Sequence, residues 1–201
     1  MGIKGNCAST KKHVAKPRSA VCRAGICKQI KKGGVKIQAL IILLQCIFAG
    51  MKILMVCLGN ICRSPLAAGI LQHKADKVKL GWTVESSGTS NYHIGDPPHK
   101  LSQKVALLNG VDISDQRGSR FKKEDMLTFD RIYAMDSDNY NEMKRMSGGA
   151  WDADKTDLIL NELYPGKNIS VPDPWFGGED GFHEVYEMLD KACEKIISRL
   201  R

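Results

Sequence analysis

The first fifty residues contain no aspartate and no glutamate, yet they hold ten of the chain's 30 lysines and arginines. Beyond residue 50 the remaining 20 basic residues face 22 acidic ones, so the overall +8 resolves into a strongly basic N-terminal stretch and a body of net charge −2. That body lacks the concentrated positive charge of a nucleic-acid surface, and no nucleic-acid partner is expected for it. No C-x-x-C pair occurs among the seven cysteines, and Cys22-x4-Cys27 has no second His or Cys pair at ligand spacing. A structural zinc site is thereby excluded, and neither a metal nor a cofactor is expected. The apolar run from Ile37 to Phe48 is twelve residues long, short of the roughly 20 that a spanning helix needs, so a membrane span is not expected.

Residues 1–36 are basic, contain glycine and show no apolar periodicity, which reads as a disordered segment. Met1-Gly2 opens like a myristoylation signal, but Asn6 stands where that signal requires Ser or Thr. A cleavable signal ending at Ala49 or Gly50 would carry an unusually long basic n-region. The organisation expected is a basic extension over 1–50 and one domain over 51–201, long enough for a single core.

What the chain does have is Val56-Cys57-Leu58-Gly59-Asn60-Ile61-Cys62-Arg63-Ser64-Pro65. The apolar run Ile53-Leu54-Met55-Val56 before it predicts a buried parallel strand. After it a helical pattern begins, for which Ser64 suits the N-cap and Pro65 the first helical position. A strand, a tight loop and a helix N-terminus turn successive backbone N–H groups inward around an anion. Gly59 permits close backbone approach, and Asn60 tolerates a left-handed conformation. The loop dipoles and Arg63 favour negative charge at Cys57. A sulfur nucleophile beneath a socket for a tetrahedral oxyanion is the apparatus of a cysteine-dependent phosphatase. A working thiolate needs a reducing compartment, so a cytoplasmic location is expected.

The full string C-L-G-N-I-C-R-S-P resembles the phosphate-binding loop of the low-molecular-weight protein tyrosine phosphatases. Later segments resemble the same family in order: Ser86-Ser87-Gly88-Thr89, Ile113-Ser114 with Arg117 and Phe121, Ile132 with Met135-Asp136, and Val171-Pro172-Asp173-Pro174-Trp175-Phe176-Gly177. The resemblance implies a Rossmann-like three-layer α/β fold, with a four-stranded parallel sheet in the order 2-1-3-4 and helices on both faces. It implies Cys57 as nucleophile, Arg63 as phosphate clamp and Asp173 as general acid. Leu58, Gly59, Asn60, Ile61, Cys62 and Ser64 would line the phosphate socket, with Ser86 holding Asn60. Tyr92, Trp175 and Phe176 would wall the substrate ring, although Trp175 and Phe176 stand where the family often has two tyrosines. Cys62 is either a small packed side chain or, as the resemblance implies, a disulfide partner for oxidised Cys57. The substrate implied is phosphotyrosine in proteins, and a monomer is expected.

Periodicity places the other elements. Strands are predicted at Trp82–Ser86, Arg131–Asp136 and Lys155–Leu160, and helices at Leu66–Asp76, Lys100–Asn109, Asn139–Met146 and Phe182–Leu200. Leu101, Val105 and Leu108 would face the core from the second helix, and Val185, Met188, Leu189, Ala192 and Ile196 from the last. Three rivals share some of these features. An arsenate reductase of this fold passes oxidising equivalents to downstream cysteines, and none lies between Cys62 and Cys193. An arginine phosphatase of the family carries threonine where this chain has Ile61. A phosphate-binding protein without activity would have lost Cys57, Arg63 or Asp173, and all three are present.

Overall fold

The computed structural model describes residues 50–201. The expectations for the basic segment, the run Ile37–Phe48 and the domain boundary at residue 50 concern residues outside that range or at its edge. Four strands, β1 (Lys52–Cys57), β2 (Thr83–Gly88), β3 (Arg131–Ala134) and β4 (Thr156–Leu158), form one all-parallel sheet in the order β2-β1-β3-β4. The helices are α1 (Arg63–Lys77), α2 (Lys100–Leu108), the single turn α3 (Asp125–Thr128), α4 (Ser137–Ser147) and α5 (Gly178–Leu200).

β1 is buried from Ile53 to Cys57, as a central strand covered on both faces must be. Its pleat divides the core. Ile53, Met55 and Cys57 join a cluster with Leu66, Ile70 and Leu71 of α1, Val105 of α2, and Leu189 and Ile196 of α5. Leu54 and Val56 point the other way, into a cluster with Phe121, Met126, Phe129 and Met143. Each fully buried aliphatic side chain of this kind contributes about 1.5–3 kcal/mol relative to exposure. A second tie closes the far end of α5 onto the sheet. The buried Tyr133 hydroxyl donates to Glu162 at 2.7 Å, and Arg199 Nε donates to the other Glu162 oxygen at 2.8 Å.

Several expectations from periodicity need correction. The helix after the loop begins at Arg63, with Cys62 as its N-cap, so Ser64 does not cap it and Pro65 sits inside the first turn. Proline is tolerated there because the first four helical N–H groups have no intrahelical acceptor. On α2 the buried residues are Ser102, Val105 and Ala106, while Leu108 is 66% exposed. Met188 of α5 likewise turns outward. The third strand stops at Ala134 and the fourth runs only from Thr156 to Leu158, because residues 159–162 tighten into a 3-10 turn. α5 starts four residues before Phe182, with Glu179 and Asp180 in its first turn. Acidic residues suit a helix N-terminus, but they carry no apolar period to read.

Candidate active site

β1 delivers Cys57 to the carboxyl edge of the sheet, and the chain then folds back over it before α1 starts. The Cys57 sulfur lies 3.0 Å from the Ser64 hydroxyl and accepts the Asn60 N–H at 3.2 Å. Ser64, at the base of α1, is therefore turned toward the sulfur and the strands rather than toward its own helix; it also lies 3.3 Å from the Ser87 carbonyl. Asn60 adopts the left-handed conformation, φ 58°, and is buried. Its side chain is the hub of the loop. Nδ2 donates to Ser64 Oγ at 2.9 Å and to Ser86 Oγ at 2.8 Å, and Oδ1 accepts the Ser119 N–H at 2.8 Å. β2 passes directly beneath, and a Cβ at Gly88 would stand 2.7 Å from the Leu58 carbonyl oxygen. Only glycine lets the two segments approach so closely.

Arg63 is 6% exposed and is aimed by two acceptors. Nη1 donates to Asp136 Oδ2 at 2.6 Å and to the Val171 carbonyl at 3.0 Å. Its Nε and Nη2 make no hydrogen bond among the described residues, so one edge of the planar fork keeps its donors unengaged. Asp136 does two jobs, since its Oδ1 accepts the Asn139 N–H at 2.7 Å and caps α4. The sequence placed Asp136 at a strand end without giving it a role; an aspartate three residues before an amide in a helical pattern was the available sign.

Val171 also donates its N–H to the Met135 carbonyl at 2.7 Å, which fixes the start of the loop that carries Asp173. Asp173 is exposed and caps a short 3-10 turn, Pro174–Gly177, its Oδ1 accepting from Trp175 N–H at 3.1 Å. Arg63, next to Cys62 in the chain, reaches the Val171 carbonyl two residues before Asp173, which ties the Asp173 loop to the loop that carries Cys57. Burial, reinforced by Cys57 and Asp173, pushes the Cys62 thiol up to about 12. Cys62 thus remains a thiol across the physiological range and does not compete as nucleophile. Neither Cys57 nor Cys62 is in a disulfide.

Residues 52–201 match the family described as low molecular weight phosphotyrosine protein phosphatase. The chain belongs to this family. The low molecular weight phosphotyrosine protein phosphatase of Gallus gallus is 34% identical over 150 residues, covering 74% of this chain and 94% of the chicken protein. The crystal structure of a protein tyrosine phosphatase from Entamoeba histolytica, with Hepes in the active site, superposes at a TM-score of 0.69 with 36% identity, over 75% of this chain and 97% of that one. A Drosophila arginine phosphatase superposes at 0.69 with 30% identity, over 75% and 98%.

Around the low-molecular-weight phosphatase loop, the aromatic residues singled out in the sequence are open to solvent: Tyr92 is 82%, Trp175 59% and Phe176 90% exposed. Leu58 is half exposed and Ile61 half buried within the loop itself. Gly59 faces His93, whose ring would lie 3.2 Å from a Cβ at 59, so the segment carrying Tyr92 runs along the loop's outer side. A groove of about 540 Å³ behind Ser86 and Gln116 has neither Cys57 nor Arg63 in its wall and is not the reaction pocket. Ser119 and Gln116 were not legible as site residues. Ser119 holds Asn60, and Gln116 accepts from Ser86 at 3.2 Å, so both brace the loop from the outside. Among the described residues no group of His, Cys, Asp or Glu is placed to hold a metal ion, and no helix is long and apolar enough to cross a membrane.

Proposed function

We propose that this chain hydrolyses phosphotyrosine in proteins through a phosphocysteine intermediate. The observation that carries the reading is the Cys57 sulfur held by Asn60 N–H and Ser64 at the floor of a loop whose rim is Arg63. In the first step sulfur attacks phosphorus in line with the departing phenolic oxygen. Arg63 takes two equatorial oxygens through Nε and Nη2, and the inward loop amides stabilise the charge spread over them. Asp173, with Oδ1 engaged by Trp175 N–H, serves as the general acid and gives a proton to the phenolic oxygen as the bond breaks. In the second step Asp173 accepts a proton from the water that attacks phosphocysteine, and the sulfur leaves toward the Ser64 hydroxyl. The exposed rings of Tyr92, Trp175 and Phe176 suit an aryl substrate presented on a protein surface.

Arg63→Lys is expected to lower kcat/KM for a phosphotyrosine peptide by about 10²–10³-fold, the usual cost of removing a transition-state donor. Lysine cannot keep Asp136 and the Val171 carbonyl while also forking onto two oxygens. Steady-state kinetics would sink the clamp if the variant stayed within tenfold of wild type.

The rival activities are separable. Cys193, the remaining described cysteine, is 0% exposed with its sulfur 3.7 Å from the Ala67 carbonyl, so it is poorly placed to relay oxidising equivalents for arsenate reduction. For the arginine phosphatase reading, Ile61 presents an apolar side chain where a hydroxyl would meet a guanidinium. Ile61→Thr should raise the ratio of phosphoarginine to phosphotyrosine turnover about tenfold, the scale of one changed pocket group; an unaltered ratio removes Ile61 from selectivity. The direct test of the main reading is a panel of phosphotyrosine, phosphoserine and phosphoarginine peptides with arsenate, using the full chain. Phosphotyrosine should lead, and faster turnover of phosphoarginine would overturn the assignment.

A further inference from the structure

His99 stands where the phosphate loop, α2, α5 and the acid loop converge. Its backbone N–H donates to the Ile61 carbonyl at 2.7 Å, which fixes it to the phosphate loop. Its Nδ1 accepts the Leu101 N–H at 3.3 Å and caps α2. Its ring stacks on Phe182 at the start of α5, with centroids 5.2 Å apart and planes 18° from parallel. It also meets Trp175 at 5.2 Å and 61°. Both are preferred arrangements for aromatic pairs. Trp175 in turn gives its N–H to the Asp173 carboxylate. One continuous path therefore runs from the Ile61 carbonyl through His99 and Trp175 to Asp173.

We propose that His99 is a positioning residue for the general acid: its ring is the stop against which Trp175 rests, and it sets where Asp173 lies relative to the loop that holds Cys57. The proposal rests on the reading of Asp173 given above. Val171 anchors the start of the loop and buried Pro174 lies close against Gly181 of α5, so what remains to be set is the orientation of the Asp173–Trp175 turn between them. Pro172 and Pro174 have no N–H to donate, and Phe176 is 90% exposed. Lys104 and Glu179 pair nearby at 2.7 Å, but both are about half exposed, and exposed pairs hold geometry weakly. Proton donation is steep in distance, so a small displacement of Trp175 is felt at Asp173. His99 makes no hydrogen bond to the Cys57 sulfur or to Arg63.

The two duties of His99 can be separated in the full chain. His99→Asn retains a good capping side chain and removes the ring; His99→Phe retains a ring and removes the cap. Each is assayed beside Asp173→Ala by kcat/KM, which reports the step in which the phenolate leaves, with a phosphotyrosine peptide and with p-nitrophenyl phosphate. Thermal melting is followed in parallel. His99→Asn should lose about tenfold on phosphotyrosine and stay within about twofold on the nitrophenyl ester, the same sign of split as Asp173→Ala and smaller. His99→Phe should melt earlier yet restore the wild-type ratio of the two substrates. If Asp173→Ala shifts the ratio and His99→Asn does not, or if both His99 variants slow the two substrates alike, His99 is a cap and the proposal is wrong. If Asp173→Ala shifts nothing, the assignment of Asp173 fails first and the positioning role falls with it.

Discussion

Cys57→Ser is expected to lower kcat/KM toward a phosphotyrosine peptide on the order of 10⁴–10⁶-fold, roughly 5–8 kcal/mol of barrier. The substitution is almost isosteric, and the partners of the sulfur, Asn60 N–H and the Ser64 hydroxyl, pair with an oxygen equally well. Fold and anion socket should survive, so the loss isolates the nucleophile. A serine hydroxyl with no adjacent base to take its proton is a poor nucleophile at neutral pH. No histidine occupies that place: the sulfur's neighbours are an amide and a hydroxyl. Neither is Cys62 a substitute, since burial keeps it protonated. Inorganic phosphate should still raise the melting temperature of the variant, because Arg63 and the loop amides remain. More than about one per cent of wild-type turnover in the variant would mean that the covalent route is wrong.

Asp173→Ala should give a leaving-group signature. General acid assistance is typically about 10²–10⁴-fold, roughly 3–5 kcal/mol, and a tyrosine phenolate, which departs poorly without a proton, should show that full loss in kcat/KM. A nitrophenolate needs less help and should lose much less. Phosphate binding should persist, so affinity for the anion and turnover separate. Equal losses on both esters would move the acid elsewhere. Glu179 is an unpromising successor, since its carboxylate is already engaged by Lys104, which donates to Oε2 at 2.9 Å. Asp180 would be tested instead.

The sequence made the fold legible where chemistry is local. The apolar run Ile53–Val56, alternation in β2 and the C-x5-R string gave the order strand, loop, helix, although not the residue at which the helix starts. Asn60 was readable as left-handed, because few other side chains tolerate that conformation. What escaped was whatever depends on distant partners. Ser64 looked like an N-cap, yet the Cys57 sulfur claims its hydroxyl and the helix starts at Arg63. Leu108 fitted the apolar period of α2, yet it is exposed while Ser102, Val105 and Ala106 form the buried face, with Ser102 Oγ 3.5 Å from the Cys62 carbonyl. Asp136 and Ser119 lie 73 and 59 residues from the side chains they hold, and no spacing rule reaches that far. His99 was hidden for the same reason: its ring partners are supplied by the acid loop and α5.

Asn60 has a further consequence. The loop around Cys57 is already drawn into shape by the carboxamide's bonds to Ser64, Ser86 and Ser119. Little chain entropy remains to be lost when an anion arrives, and the socket greets any small tetrahedral oxyanion in the same way. Free phosphate is then expected to compete with substrate as a product inhibitor, and sulfate to compete in the same way, which steady-state kinetics with either added anion would check. Discrimination passes outward to Ile61 and the ring-bearing margin, where surroundings can change without disturbing the chemistry beneath. A floor braced by three side-chain hydrogen bonds beneath an exposed aromatic margin separates the part that would hold phosphate from the part that would meet the protein bearing it.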